Sequence, residues 1–331
     1  MTVVPNRKSK LFGRDEILNT MFKSREMSLI IVLLVVSIVL TILKPGVFLT
    51  RKNFDAILNG MVFDLLTAGG MTIAFILWGI DLSVGSVLAL TSIMTAMALR
   101  AGIFIPGAIF IGLAVAAACG IINGILVGRF KIAPFIVTLA MFSMARGMAV
   151  VLTSGYYLSG LPAAFISIGR LKVLSIPFQV LFAVLVLAVL EFLLKKNSFF
   201  HQMYFVGNNP LASELSGINV SKIILIGYMI SSLLAGCAGI LMSSRLAMGF
   251  SGFGLLAETR AIAAAVIGGA SFSGGKGSIL GASLGVFLLA LINNGFVLLN
   301  GSPNWQQAVS GIILLVAVGV DAYRRRKERR A

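Results

Sequence analysis

The chain has 331 residues, 58% of them hydrophobic and only 11% charged, with a mean hydropathy of +1.02. So few charges cannot cover a soluble globule of this length, and two cysteines, both inside apolar runs, exclude a disulfide framework. The formal net charge of +16 raises nucleic acid as a partner, but no basic domain or recognition motif accompanies it, and what remains is a polytopic membrane protein.

In chain order, a basic leader (1–26) precedes apolar segments at 27–43, 57–77, 83–99, 104–128, 133–153, 175–194, 222–243, 257–272, 278–299 and 305–321. Each approaches the length of about 20 residues that a membrane helix needs. The runs are continuous, without the period-two alternation of a β-barrel. The expected architecture is an all-α polytopic membrane protein with about ten transmembrane helices. It divides into a basic N-terminal tail (1–26), a transmembrane domain (27–321) and a basic C-terminal tail (322–331). Segment 257–272 is the shortest and carries Glu258 and Arg260 at its start, so nine crossings with this segment re-entrant is the competing count. Most of the 27 Lys and Arg fall on one side of a ten-span arrangement: in both tails, at Arg129 and Lys131, at Lys195, Lys196 and Lys222, and at Lys276. The positive-inside rule then places both termini in the cytoplasm, and no cleavage pattern follows the first apolar run. The basic tails would touch anionic membrane lipid, and no nucleic-acid partner is expected.

The longest loop on that side, 195–221, carries a helix-start signal in Asn209-Pro210. Leu211, Leu215 and Ile218 recur at helical spacing, and Gly217 can end the helix. The result is a short amphipathic surface helix that either rests on lipid or docks a cytoplasmic partner. Its polar face carries Ser213, Glu214, Ser216 and Asn219 rather than the Lys and Arg usual for a lipid-resting helix.

Enzyme chemistry finds no constellation. His201 is the single histidine, so Ser-His triads and the usual His/Cys metal sites are unavailable, and no metal or catalytic residue is assigned. The stretch Gly269–Ser278 resembles a phosphate loop but has Ala270 and Gly277 where that motif needs Gly and Ser or Thr. No ATP site or cofactor is expected in this chain.

Ionisable residues at membrane depth are costly and therefore informative. Asp64, Arg146, Glu258 and Arg260 are such residues, and their plainest role is internal pairing, Arg146 with a carboxylate. Asn123, Thr138, Asn293 and Asn294 are uncharged polar residues in the spans, suited either to helix–helix hydrogen bonds or to solute contacts. In Leu77–Ser86 the apolar run breaks at Gly79, with Asp81 and Ser83 following; Ser83 is a candidate N-cap for the next helix. Broken helices at membrane depth persist only against protein or a water-filled cavity, so this segment is the best pointer to a pathway, a tight turn being the alternative. A short echo between Ile122–Val127 and Asn293–Leu298 is also present.

Taken together, Gly79–Ser86, Pro134–Leu139 with Arg146-Gly147, Asn209-Pro210 through Val220, Ile262–Gly269, Gly274–Gly281 and Trp305–Gln307 resemble the permease subunits of ribose-type monosaccharide ABC importers. The resemblance is colinear over roughly residues 55–321. It implies a fold similar to the cobalamin-importer permease and a location in the bacterial inner membrane. It also implies a second permease subunit, identical or paralogous, a cytoplasmic ATPase that binds ATP and Mg, and a periplasmic or lipoprotein sugar-binding protein. The polar residues of the spans and of the broken segment, Asp81, Ser83, Asn123, Thr138, Asn293 and Asn294, together with Trp78, are the candidate pathway residues, and the resemblance adds a coupling region. It marks Glu214, Leu215, Ser216, Gly217 and Ile218 as candidate ATPase contacts. Two departures stand out: Leu77-Trp78-Gly79 replaces the family's Ser-Gly-Gly, and Arg260 stands where an acidic residue is common. The alternative function is an ion-coupled secondary transporter using Asp64, Glu258 and Arg146.

Overall fold

A computed structural model describes residues 25–301 and the isolated positions 308, 311, 312, 315 and 319. Residues 1–24 of the N-terminal tail, the whole C-terminal tail, nearly all of segment 305–321 and the Trp305–Gln307 motif lie outside the described residues. The helices are α1 (Arg25–Leu43), α2 (Arg51–Ile76), α3 (Val84–Arg100), α4 (Ile105–Gly128), α5 (Pro134–Thr153) and α6 (Ala163–Arg170). After a two-stranded hairpin, β1 (Lys172–Val173) and β2 (Ile176–Pro177), come α7 (Phe178–Lys196), α8 (Ser198–Asn208), α9 (Pro210–Leu215), α10 (Val220–Leu246), α11 (Ala257–Ile267) and α12 (Ile279–Leu298). Among the described residues seven helices, α1, α2, α4, α5, α7, α10 and α12, are long and apolar enough to cross a membrane, and α3 is a shorter apolar helix. The expectation of an all-α polytopic membrane protein is met; the count of about ten is not reached by these helices alone.

The centre of the bundle is α10, 27 residues and about 40 Å long. Its neighbour α4 carries a small residue at every fourth position, Gly112, Ala116, Gly120, Gly124 and Gly128, all buried. This seam lies antiparallel on α10: a Cβ at Gly120 would stand 2.7 Å from Met229 Cα, and one at Gly124 would stand 2.5 Å from Leu225 Cα. In lipid the hydrophobic effect does not drive helices together, so close backbone approach through small residues supplies the packing.

Segment 257–272 gives only the 11-residue α11, about 16 Å and half a membrane core. The stretch before it is non-helical, a single bridge at Gly249 followed by turns over 251–256, and runs back along α3. Leu158 and Gly249 exchange backbone hydrogen bonds (2.8 and 3.0 Å), Gly249 sits over Ser92 and Ile93, and Gly254 sits directly on Gly85. From there α11 continues the same course beside α12, where Ala264 abuts Gly285 and Gly268 abuts Gly281. The short apolar segment is therefore the helical half of a discontinuous passage.

Candidate functional site

The helix break identified in the sequence is present. α2 ends at Ile76, Trp78 takes a left-handed conformation (φ +61°), and α3 begins at Val84. Asp81 has no exposed surface. Its Oδ1 accepts from the Ser83 backbone N–H (3.0 Å) and from Ser83 Oγ (2.5 Å), and its Oδ2 accepts from Ser231 Oγ on α10 (2.8 Å). Asn123 Nδ2, on α4, donates to Ser83 Oγ (3.1 Å), and Thr138 Oγ1, on α5, donates to the Ile80 carbonyl (3.0 Å). Hydroxyl and amide donors thus tie the break to three helices at once and satisfy backbone groups that lipid could not.

Ser83 does not cap α3. Its backbone is already helical (φ −77°, ψ −13°) rather than extended, so its Oγ turns back to Asp81 instead of reaching the next N–H groups. Of the seven sequence-nominated pathway residues, the structure gathers Trp78, Asp81, Ser83, Asn123 and Thr138 at this break. Asn293 and Asn294 lie elsewhere: Asn294 exchanges hydrogen bonds with Asn53 of α2 (2.7 and 3.1 Å). Only Trp78 is widely open, 60% exposed. A left-handed conformation costs an L-residue about 1–2 kcal/mol. Trp78→Gly is therefore expected to melt at or above the wild-type temperature in differential scanning fluorimetry while altering solute uptake; a lower melting temperature would count against strain at this position.

The charges at depth divide differently from the sequence expectation. Arg260 Nε donates a bifurcated hydrogen bond to both carboxylate oxygens of Asp64 (3.0 and 3.1 Å). Arg146 makes no direct ion pair among the described residues, although the Glu258 carboxylate is close enough to interact with it electrostatically; its Nη1 donates to the backbone carbonyls of Ser251 and, at 2.8 Å, Phe253. The physical reason is local. The non-helical 247–256 stretch leaves carbonyls without helical partners, and a guanidinium reaching across from α5 satisfies two of them.

At the opposite end of α2 from Arg51, α8 and α9 form as one unit. Asn209 Oδ1 accepts from the Ala212 N–H (3.0 Å), Pro210 occupies the first turn, and Gly217 at φ +82° ends the helix, as the sequence predicts. The apolar face of α9 is not covered by the other described residues. Leu211 and Leu215 are 69% and 83% exposed while Ser213 is buried. An outward apolar face of this kind fits either a partner surface or lipid. α8 was not anticipated as a separate helix; the Asn197 side chain, accepting from the Phe199 and Phe200 N–H groups, was its available signal.

α8 rests on the break. Gly207 abuts the Ile76 carbonyl, which also accepts from the Gly275 N–H (2.9 Å), and Gly274 lies against Trp78. Tyr204 donates to the Gly277 carbonyl (3.0 Å); burial, and then the Glu191 carboxylate, push its phenol up to about 12, so it stays a neutral donor. α9 is thus joined through α8 to the base of the break by backbone contacts, with Asn209 alone between the two helices.

A bundle of membrane-length helices with a pinned internal break and a surface helix that presents leucines outward defines the membrane-embedded subunit of a transport system. Residues 53–318 match the family described as the branched-chain amino acid transport system / permease component, and the chain belongs to that family. It is similar to the ribose import permease protein of Bacillus subtilis (strain 168), 38% identical over 291 residues, covering 87% of this chain and 90% of the relative. The D-allose transport system permease protein of Escherichia coli (strain K12) is 36% identical over 281 residues, 84% of this chain and 86% of the relative. The autoinducer 2 import system permease protein of Enterobacter sp. (strain 638) is 32% identical over 307 residues, 92% and 88%. No solved structure matches the chain.

Proposed function

We propose that this chain is the permease subunit of an ATP-binding-cassette importer for a monosaccharide of the ribose type. The observation that carries the reading is the direct seat of α8 on the break, Gly207 against Ile76, beneath an outward-facing α9. A partner that pushes α9 acts on the break without an intervening flexible loop. ATP and Mg belong to a separate cytoplasmic ATPase, whose contacts are Glu214, Leu215, Ser216, Gly217 and Ile218. The tails and α9 lie on the cytoplasmic side of a bacterial inner membrane. Ten crossings result when the 247–267 passage and segment 305–321 are included. A second permease copy or paralogue completes the pathway, and a sugar-binding protein delivers the solute from outside. Relatives named for ribose and allose support a sugar, and so does chemistry: the break bristles with hydroxyl and amide groups, and the Trp78 indole offers a flat apolar face to sugar C–H groups. Trp78, Asp81, Ser83, Asn123 and Thr138 shape the pathway wall at the break, and Asn293 and Asn294 the far end. For the ion-coupled alternative, Asp64 is already committed to Arg260.

The test is reconstitution. With the ATPase and binding protein present, sugar uptake is expected to require ATP; uptake by the isolated chain driven by an ion gradient would overturn the reading. Within that assay Gly217→Pro is expected to uncouple hydrolysis from uptake at least about tenfold, because proline's fixed φ near −65° cannot adopt the +82° that ends α9. Glu214→Lys, on an exposed surface, is expected to weaken co-purification with the ATPase without changing membrane insertion. Uptake at wild-type levels in both variants would remove α9 from the coupling role.

A further inference from the structure

We propose that the junction of α7 and α8 is a binding site for one anionic phospholipid, headgroup in the junction and acyl chain along α7. A cavity of about 380 Å³ opens there, lined by Lys195, Lys196, Asn197, His201, Gln202 and Phe205 among others. This volume lies within the range of small-ligand sites. Lys195 is paired with Glu191 (2.7 Å), whose carboxylate also accepts from the Ile279 N–H (2.8 Å). Lys196 forms no ion pair among the described residues, so the cavity keeps a net positive charge. His201 spends Nδ1 on the Leu194 carbonyl (3.0 Å) and leaves its other ring nitrogen for a ligand.

The apolar half of the site is on α7. Leu185, Val189 and Phe192 are 64%, 50% and 62% exposed and recur at helical spacing, and the same face continues to Lys196. An apolar stripe that ends in two lysines and a polar cavity matches a lipid along its whole length: acyl chain on the stripe, phosphate at the cations. Lysines at a helix end also reach naturally to the headgroup layer. Charge excludes a zwitterionic lipid as the preferred occupant, because its ammonium gains nothing from Lys196. The inference requires only that the chain is membrane-embedded and does not depend on which solute it carries. The cavity also touches Ile218, so the headgroup would sit beside the end of α9.

The test uses the full chain in its assembled transporter, in vesicles containing a photoactivatable phosphatidylglycerol with its diazirine in the acyl chain, mapped by peptide mass spectrometry. Labelling of residues 185–192 is expected to exceed that from the matching phosphatidylcholine probe by at least about fivefold. The Lys195→Gln/Lys196→Gln double variant is expected to fall to the phosphatidylcholine level at an unchanged melting temperature, whereas Arg51→Gln/Lys52→Gln at the other end of the bundle keeps wild-type labelling. Equal labelling by the two probes, or labelling that survives the Lys195/Lys196 double substitution, overturns the site. So does a double variant that loses its ATPase while labelling is unchanged, since the cavity would then hold an acidic protein segment. Failure of the sugar-importer reading would show as absent ATP-driven uptake and would leave the labelling pattern intact.

Discussion

Gly207→Ala is expected to cut ATP-driven uptake at least about tenfold and to lower the melting temperature of the purified complex. A Cβ at Gly207 would overlap the Ile76 carbonyl and stand 2.9 Å from the Gly275 backbone nitrogen. All of these obstacles are backbone, so no rotamer change relieves them. The hydrogen bond from Gly275 to Ile76 occupies the same space and would have to lengthen or break. Overpacking of a tight junction typically costs about 1–3 kcal/mol, and separation of three backbones belongs at the upper end. Because this junction joins α8 to the base of the break, relaxation by outward movement of α8 disconnects α9 from the pathway. ATP hydrolysis by the partner is then retained while transport is lost. Gly60→Ala is the matched control: it is helical, exposed, and meets nothing within 4 Å, so it is expected to leave stability unchanged or slightly raised. Wild-type melting and uptake in Gly207→Ala would show that the junction is neither tight nor coupled.

Asp81→Ala is expected to have the largest effect on folding. It removes the acceptor for the Ser83 N–H, Ser83 Oγ and Ser231 Oγ, all fully buried. A buried donor left without a partner costs about 1–3 kcal/mol, so three together reach a large fraction of the roughly 5–15 kcal/mol by which folded proteins are stable. Recovery from the membrane in monodisperse form is expected to fall severalfold. Asp81→Asn preserves volume and one carbonyl acceptor, and the serine hydroxyls can rotate to accept from its amide; it should lie between the alanine variant and wild type. Size-exclusion profiles and melting temperatures of the three chains provide the check. An Asp81→Asn chain that folds and transports assigns the carboxylate to architecture, whereas one that folds but fails to transport assigns it to the pathway. An Asp81→Ala chain with wild-type yield would contradict the hydrogen-bond arrangement.

Residues whose structural role depends on near neighbours were read correctly from the sequence. Asn209, Pro210 and Gly217 fix the start and stop of α9 because capping and φ requirements are satisfied within a few residues. The break after Gly79 was visible because polar and glycine residues interrupt an apolar run locally. Misreadings occurred where the partner is remote. The sequence points Arg146 to a carboxylate, and Glu258 does act on it through space, but its hydrogen-bond partners are carbonyls 105 and 107 residues away. Ser83 has the chemistry of a cap but a helical backbone, and its hydroxyl bonds Asp81, which in turn accepts from Ser231, 150 residues on.

The amino-acid order by itself determined the class of the protein, most of its membrane-length helices and the surface helix α9. Hydropathic length, capping and turn chemistry are one-dimensional properties, complete within a window of twenty residues. Only the tertiary structure decided that α8 sits on the end of α2, that 247–256 retraces α3 as a non-helical stretch before α11 packs beside α12, and which polar groups meet at the break. In a membrane helix nearly every face is apolar, so periodicity does not say which side meets which neighbour. That choice is made by small residues and a few polar atoms meeting across the bundle.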